Sequence, residues 1–447
     1  MKKIQQIFDR HRFKIALSFC VFLTLFLIKC SVLSPLQQQT QALQTTTYPT
    51  FADWCVNKTN LSSSTRHTIE VMLRDLGITD CVKASKKLSS RAELSIDGEQ
   101  ITDISPLSSL TNLKKLSLSV NEISNISPLS SLTNLTILNL DRNNKISDIT
   151  PLKHLTNLTE LALFGNQISD IAPLEDLTKL TVLDIRYNQI KSLKNLKNLK
   201  NLKNLSLTDN QISNVNSLKY LTNLTYISLG VNKISDISPL KSLHKLTELL
   251  LFRNKISDIT PLKFLTNLNS LFIHRNKISD ISNLQFLTNL TELYIDENQI
   301  SDISSLRFMT KLKEVDLRNN KIFDISMLYG INLTSLDLTN NRISDVRTLK
   351  FVTTLTVLSL ADNQIYDISP LKSLTKLTEL YLSENQISDV STLKSLTSLK
   401  RLDLANNRIS EISMLKPLIH LLELYLEGNP LTNKNCPLGY DFRCRYE

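Results

Sequence analysis

Along most of the chain, apolar residues recur with two spacings that alternate in a fixed order. From Ile168 they fall on every third residue, at Ile171, Leu174, Leu177, Leu180 and Leu183. The interval then shortens to two, from Leu183 to Ile185, just ahead of Asn188. A period of three turns one side of a 3₁₀-like or extended coil inward, and a period of two is a strand whose alternate residues face a core. The block therefore predicts one short strand, a turn at the asparagine and a loosely helical return. It recurs about every 22 residues, at Asn121, Asn166, Asn188, Asn210, Asn232, Asn254, Asn276, Asn298 and Asn320, then at Asn341, Asn363, Asn385, Asn407 and Asn429.

Each asparagine closes L-x-x-L-x-L-x-x-N, with Ile or Val in place of some leucines. A fixed period between 20 and 29 residues with this motif marks a leucine-rich-repeat solenoid. The expected fold is an α/β solenoid, a right-handed horseshoe of about sixteen repeats with a parallel concave sheet and a 3₁₀ or coil convex side. Parallel strands lie about 4.8 Å apart, so sixteen make a sheet roughly 70–75 Å long. Three repeats depart from the pattern. The first has Glu99 at the asparagine position, the third carries an extra residue in Asn143-Asn144-Lys145, and the step from Asn320 to Asn341 is one short, at Tyr329-Gly330. The lysine-rich run from Lys191 to Leu205 keeps the register through Leu193, Leu196, Leu199 and Leu202, and reads as an ordinary repeat.

The asparagine has a structural role in this reading. Where the chain leaves the strand, backbone groups turn inward and lose their ladder partners, and a buried amide side chain offers them both donors and acceptors. In the following Ile-Ser-Asp-Ile-x-Pro-Leu, Asp236 is placed to cap the return and Pro239 to occupy its first turn.

Both ends of such a stack need covers. Residues 61–90 predict two short helices, the first from Arg66 to Leu76 with Ile69, Met72, Leu73 and Leu76 on one face and Gly77 ending it. Cys55 and Cys81 precede the repeats, Cys436 and Cys444 follow them, and none lies within the array. An even count at the ends alone points to one disulfide per cap and an oxidising compartment. Metal binding is the alternative, although there is no Cys-x-x-Cys and no clustered histidine. Lys2, Lys3, Arg10, Arg12 and Lys14 precede an apolar run from Ile15 to Ile28, which suits a signal-peptide core and is short for a membrane span. An uncleaved anchor is the rival reading, and it is the one route to a membrane. The expected divisions are residues 1–42 (signal and linker), 43–90 (N-terminal cysteine cap), 91–429 (repeats) and 430–447 (C-terminal cysteine cap).

The array resembles the 22-residue leucine-rich repeats of bacterial internalins and of the leucine-rich regulatory subunit of protein phosphatase-1. Asn166 to Leu174 and Leu287 to Leu293 carry this resemblance. The ends are similar to secreted leucine-rich-repeat proteins of cyanobacterial type, through Phe51-x-x-Trp54-Cys55 and through Gly428-Asn429-Pro430-Leu431 before Cys436-Pro437. The resemblance implies a binding scaffold, adhesin or receptor-like module. It leaves open an intracellular, phosphatase-regulator-like scaffold and a structural envelope protein.

The formal charge of +10 needs dissecting before it is taken as a nucleic-acid signal. Outside residues 1–42 there remain 46 basic and 41 acidic residues, a surplus of five. Outward strand positions are mostly acidic, among them Glu160, Asp184, Asp209, Glu248, Glu292 and Asp316, whereas Lys153, Lys241, Lys263, Lys372 and Lys394 fall on the returns. A phosphate backbone is repelled from such a concave face, so nucleic acid is not the expected partner there. The expected partner is a protein or peptide, and a basic one suits the charge.

One stretch of the concave face is richer than the rest. Leu250, Phe252 and Arg253, then Phe272, His274 and Arg275, then Tyr294 occupy adjacent strands. Exposed aromatic and arginine side chains are what binding hot spots favour. The alternative is that the rings stack on one another and serve the sheet. For catalysis the sequence offers nothing: the six histidines are scattered, no glycine-rich phosphate loop is present and no metal-ligand spacing occurs. No enzyme activity, cofactor or metal is expected. The expected compartment is secreted, periplasmic or cell-surface.

Overall fold

The computed structural model describes residues 47–433, 435–438 and 444–446. The segment read as an export signal lies outside them. From β1 (Glu93–Ser95) to β16 (Glu423–Tyr425), each repeat contributes one three-residue strand that pairs in parallel with the next. The register never slips. Leu249 in β8 (Glu248–Leu250) lies opposite Leu271 in β9 (Ser270–Phe272), which lies opposite Leu293 in β10 (Glu292–Tyr294). All three leucines are fully buried. A one-residue slip would send the whole leucine column to solvent, and this fixes the pairing.

The returns carry short 3₁₀ turns, such as Thr260–Phe264, with Leu262, Leu265 and Leu268 buried at every third position. Their starts are capped as the sequence implies: Asp236 Oδ1 accepts from Ser238 N at 2.8 Å, and Pro239 stands in the first turn. The asparagines form a ladder between repeats. Asn254 donates from Nδ2 to Leu229 O at 2.9 Å and Leu251 O at 3.0 Å, while its Oδ1 accepts from Ile234 N at 3.0 Å. One amide thus closes its own turn and bolts it to the repeat before.

The irregular repeats show how far this ladder can bend. The deletion near Gly330 (φ +82°) is absorbed in the return, and Asn341 Oδ1 still accepts from Ile322 N at 3.0 Å. The insertion is not absorbed. Asn143 keeps the ladder position, accepting from Ile123 N at 3.1 Å. Asn144 bulges out with φ +62°, and Asn166 Oδ1 is buried without a hydrogen-bond partner. The sequence did not announce that the residue before each ladder asparagine is left-handed. Val231, Arg253, Arg275 and Glu297 have φ between 51° and 56°, a conformation that L-residues adopt at a cost of about 1–2 kcal/mol. Regular packing on both sides holds them there.

At the N-terminal end stand α1 (Phe51–Val56), α2 (Ser63–Leu76) and α3 (Cys81–Ser89). The expected helix from Arg66 begins three residues earlier, because Ser62 caps it by accepting from Thr65 N at 3.1 Å, and it ends at Gly77 with φ +64°. The six-residue α1 is too short to show a period, and its signature is instead a capping box between Thr50 and Asp53. Phe51, Trp54, Ile69, Met72 and Leu88 are buried and continue the core. Cys55 is bonded to Cys81, with Cα atoms 5.5 Å apart, and joins α1 to α3. At the other end Cys436 is bonded to Cys444, with Cα atoms 5.8 Å apart. Here β17 (Cys444–Arg445) adds to β16, so the sheet has seventeen strands. This last strand lies outside the repeats, and no leucine pattern marks it.

Candidate concave aromatic site

Strand register places the site residues in two rows. Leu250, Phe272 and Tyr294 stand opposite one another in β8, β9 and β10. Two positions further along the chain come Phe252, His274 and Asp296, and one beyond these Arg253, Arg275 and Glu297. The rings meet in pairs. Phe272 stacks on Tyr294 with centroids 4.7 Å apart and planes 6° from parallel, and Phe252 stacks on His274 at 5.0 Å and 10°.

This differs from the freely exposed rings that the sequence implies. Phe252, Phe272, His274 and Tyr294 are all half-buried, as is Leu250. Side chains on neighbouring parallel strands are close enough for flat rings to cover one another, so each hides one face and presents its rim or the other. Gly230 makes the arrangement possible: a Cβ there would lie 2.4 Å from Phe252 Cζ. Any other residue would push the ring off the sheet. The sequence signal for it is a glycine at a repeat position that otherwise carries a side chain.

The polar groups around the rings are held in place. Tyr294 Oη donates to Glu314 Oε2 at 2.9 Å, and burial followed by that carboxylate raises the phenol well above its ordinary value. Arg275 is engaged with Glu297, its Nε donating to Oε1 at 2.7 Å. Arg253 is exposed. Burial, with Arg275, Arg253 and Arg318 nearby, holds His274 down to about 4, so the imidazole is neutral near pH 7. Its Nδ1 is buried without a hydrogen bond, 3.9 Å from Asp296 Oδ1.

Beyond Tyr294 the surface changes character. Asp296, two residues past β10, and Asp316 in β11 (Glu314–Asp316) and Asp337 in β12 (Ser335–Asp337), which stand opposite each other, are buried carboxylates. Arg318 sits among them, with Nη2 3.1 Å from Asp316 Oδ2 and Nε 3.7 Å from Asp296 Oδ2. Burial pushes Asp296 up to about 6 and Asp316 up to about 8, the latter helped by its two carboxylate neighbours. The sequence marked Asp316 as outward-facing, but held no sign that it and Asp296 would share one guanidinium below the surface. A second, smaller cluster lies toward the N-terminal end. There Phe164 meets Tyr187 edge-on at 5.2 Å, and the guanidinium carbons of Arg142 and Arg186 lie 5.2 and 5.3 Å from its ring.

Among the described residues, no group of three or more His, Cys, Asp or Glu side chains is placed to hold a metal ion. A shallow, open cavity of about 320 Å³ lies elsewhere, between α2 and the first repeat, lined by Arg74, Asp75, Asp97 and Glu99 among others. The concave site is an open, half-buried aromatic platform. It can make contacts over an area, and it does not enclose a small molecule.

A parallel sheet of repeated short strands backed by 3₁₀ returns, with one face open, defines a class. Leucine-rich-repeat models match residues 111–154, 156–198, 200–242, 244–286, 288–330 and 353–395 as two-copy units, and residues 331–346 and 398–417 as single repeats. The chain belongs to the leucine-rich-repeat family, and within it is internalin-like. An internalin (inlF) from Listeria monocytogenes is 34% identical, covering 82% of this chain and 95% of that one, with a TM-score of 0.58. A leucine-rich-repeat protein from Leptospira interrogans is 26% identical over 79% of this chain and 94% of its own, with a TM-score of 0.73. A plant peptide hormone receptor, RGFR1, solved in complex with RGF2, shares the fold at 20% identity, covering 77% of this chain and 68% of that chain, with a TM-score of 0.64. No curated protein matches the chain significantly.

Proposed function

We propose that this chain is an exported scaffold that binds a protein or peptide on its concave face. The contact surface is Leu250, Phe252, Arg253, Phe272, His274, Arg275 and Tyr294. The observation that carries this reading is the pair of ring stacks on three adjacent strands, with Gly230 clearing space for one of them. A ring stack alone would stabilise the sheet. Two stacks whose remaining faces stay half-open, bordered by carboxylates, also offer a pre-ordered platform, and rigid aromatic anchors bind at low entropic cost. A plant peptide hormone receptor of this fold, solved in complex with RGF2, is consistent with a binding role. The end disulfides fit an oxidising compartment, and in this reading residues 1–42 direct export, residues 43–90 and 430–447 cap the array, and a surface-exposed or secreted protein results.

Mutation of the platform tests the reading. With a partner captured on the full chain, Phe252→Ala and Phe272→Ala should each weaken binding by about 2 kcal/mol, roughly thirtyfold. Phe323→Ala, at a 63% exposed ring away from the platform, should leave affinity unchanged. A basic partner should also bind more weakly as salt rises, since screening acts over about 10 Å at 0.1 M. Wild-type affinity in both platform variants would reduce the rings to sheet packing.

A further inference from the structure

The returns carry a second pattern that the concave site does not use. At the end of its 3₁₀ turn, a repeat in the middle of the array ends in Leu-cation-ring-apolar: Leu218-Lys219-Tyr220-Leu221, Leu262-Lys263-Phe264-Leu265, Leu306-Arg307-Phe308-Met309 and Leu349-Lys350-Phe351-Val352. The leucines and their partners three residues on are buried. The cation and the ring between them face out. Tyr220, Phe264, Phe286, Phe308 and Phe351 share one position in their repeats, and each is between 42% and 51% exposed. In the shortened repeat Tyr329, 65% exposed, meets Phe351 edge-on at 4.8 Å and bridges the missing rung.

Charge runs beside the rings. The position before the ring holds Lys or Arg in ten of the thirteen repeats from Lys153 to Lys416. Where both are present they touch: Lys219 Nζ is 5.1 Å from the Tyr220 centroid, Lys263 Nζ 5.3 Å from Phe264, Arg307 Cζ 4.6 Å from Phe308 and Lys350 Nζ 4.8 Å from Phe351. Toward the N-terminal end Glu175 stands in the column and neutralises Lys197, with Oε1 3.6 Å from Nζ, whereas the acids of the ring-bearing returns stay clear of it. Asp258, Asp280 and Asp302 lie at the opposite end of the turn, each accepting a hydrogen bond from a backbone N–H two residues on.

We infer that this cation–aromatic column on the convex side binds a linear anionic polysaccharide. A file of near-identical rungs is matched by a ligand that itself repeats, whereas a folded protein would need contacts that differ from rung to rung. A bilayer is two-dimensional, and the rings stand in single file. Four of these rungs pair a cation with a ring, and each of the four demands an anion close beside an apolar face. An acidic sugar meets this because its charged group is attached to the ring whose C–H face packs on the aromatic. A nucleotide sets its phosphate a sugar's width from the base. The surface is separate from the concave platform, so one can fail without the other.

The test uses the full chain with dextran sulfate as probe, neutral dextran of equal length as control, and a single-stranded oligonucleotide and phosphatidylglycerol vesicles as the rival classes. Dextran sulfate should bind with an affinity that falls as salt rises, and neutral dextran should not bind. The triple change Phe264→Ala, Phe286→Ala, Phe308→Ala should weaken binding at least tenfold, and Lys263→Gln, Arg307→Gln, Lys350→Gln should do the same. Melting curves should stay close to wild type, and tyrosines at the three ring positions should restore binding. The inference is overturned if dextran sulfate does not bind, or if removing the rings leaves its affinity unchanged. It is also overturned if ring removal releases the oligonucleotide or the vesicles while dextran sulfate stays bound.

Discussion

At the scale of the residue, the ladder asparagine was legible from spacing alone. A polar side chain repeated at a position that periodicity turns inward has to serve the backbone, and Asn254 does, with two carbonyls and one N–H bound at 2.9–3.0 Å. Asn254→Ala should destabilise the array by about 1–3 kcal/mol, the cost of leaving such groups unpaired. Lys255→Ala, one residue on and exposed, should do little. Urea denaturation compares the two, and coincident curves would show the inward position to be misassigned. The left-handed residue just before the asparagine was not legible, because arginine and asparagine fill it more often than glycine does. Its conformation is imposed by the strand before and the turn after. Gly230 stood out only as a glycine where other repeats carry a side chain, and its reason lies in a phenylalanine 22 residues away.

At the scale of the element, register told which rings would be neighbours, and it did not tell how deeply they would sink. Burial depends on the sizes of side chains on three adjacent strands at once, a quantity no single repeat encodes. The same holds for the acids beside them. The sequence showed outward acids such as Asp316 as part of an acidic face, whereas packing buries Asp296, Asp316 and Asp337 and sets Arg318 against the first two. This has a consequence for pH. Asp316 has its folded pKa raised to about 8 from an ordinary 3.8, so between those values the folded state binds more protons than the unfolded, and stability falls as pH rises. His274, held down to about 4 from 6.5, acts in the opposite sense, stabilising above 6.5 and losing that contribution as pH falls toward 4. Between pH 6.5 and 8 the carboxyl acts without the histidine's opposition. Asp316→Asn should therefore flatten the decline in urea midpoint from pH 6.5 to 8 relative to wild type. Parallel declines in the two proteins would remove Asp316 as its source.

At the scale of the molecule, the repeat architecture was legible nearly in full, because one rule stated sixteen times leaves little for tertiary context to override. The ends were legible in part. Cysteine placement marked both caps, but α1 and β17 are too short to have a period of their own. The two long faces divide by chemistry: acidic with recessed ring stacks on the concave side, basic with protruding rings on the convex side. That division gives the central claim, that protein recognition belongs to the concave strands β8 to β10, a direct physical test. Hydroxyl-radical footprinting of the full chain, with and without a captured protein partner, reads side-chain exposure ring by ring. Phe252, Phe272 and Tyr294 should lose reactivity in the complex while Phe323 and Tyr366 keep theirs. Protection confined to the convex rings, with the concave ones as reactive as in the free protein, would contradict it.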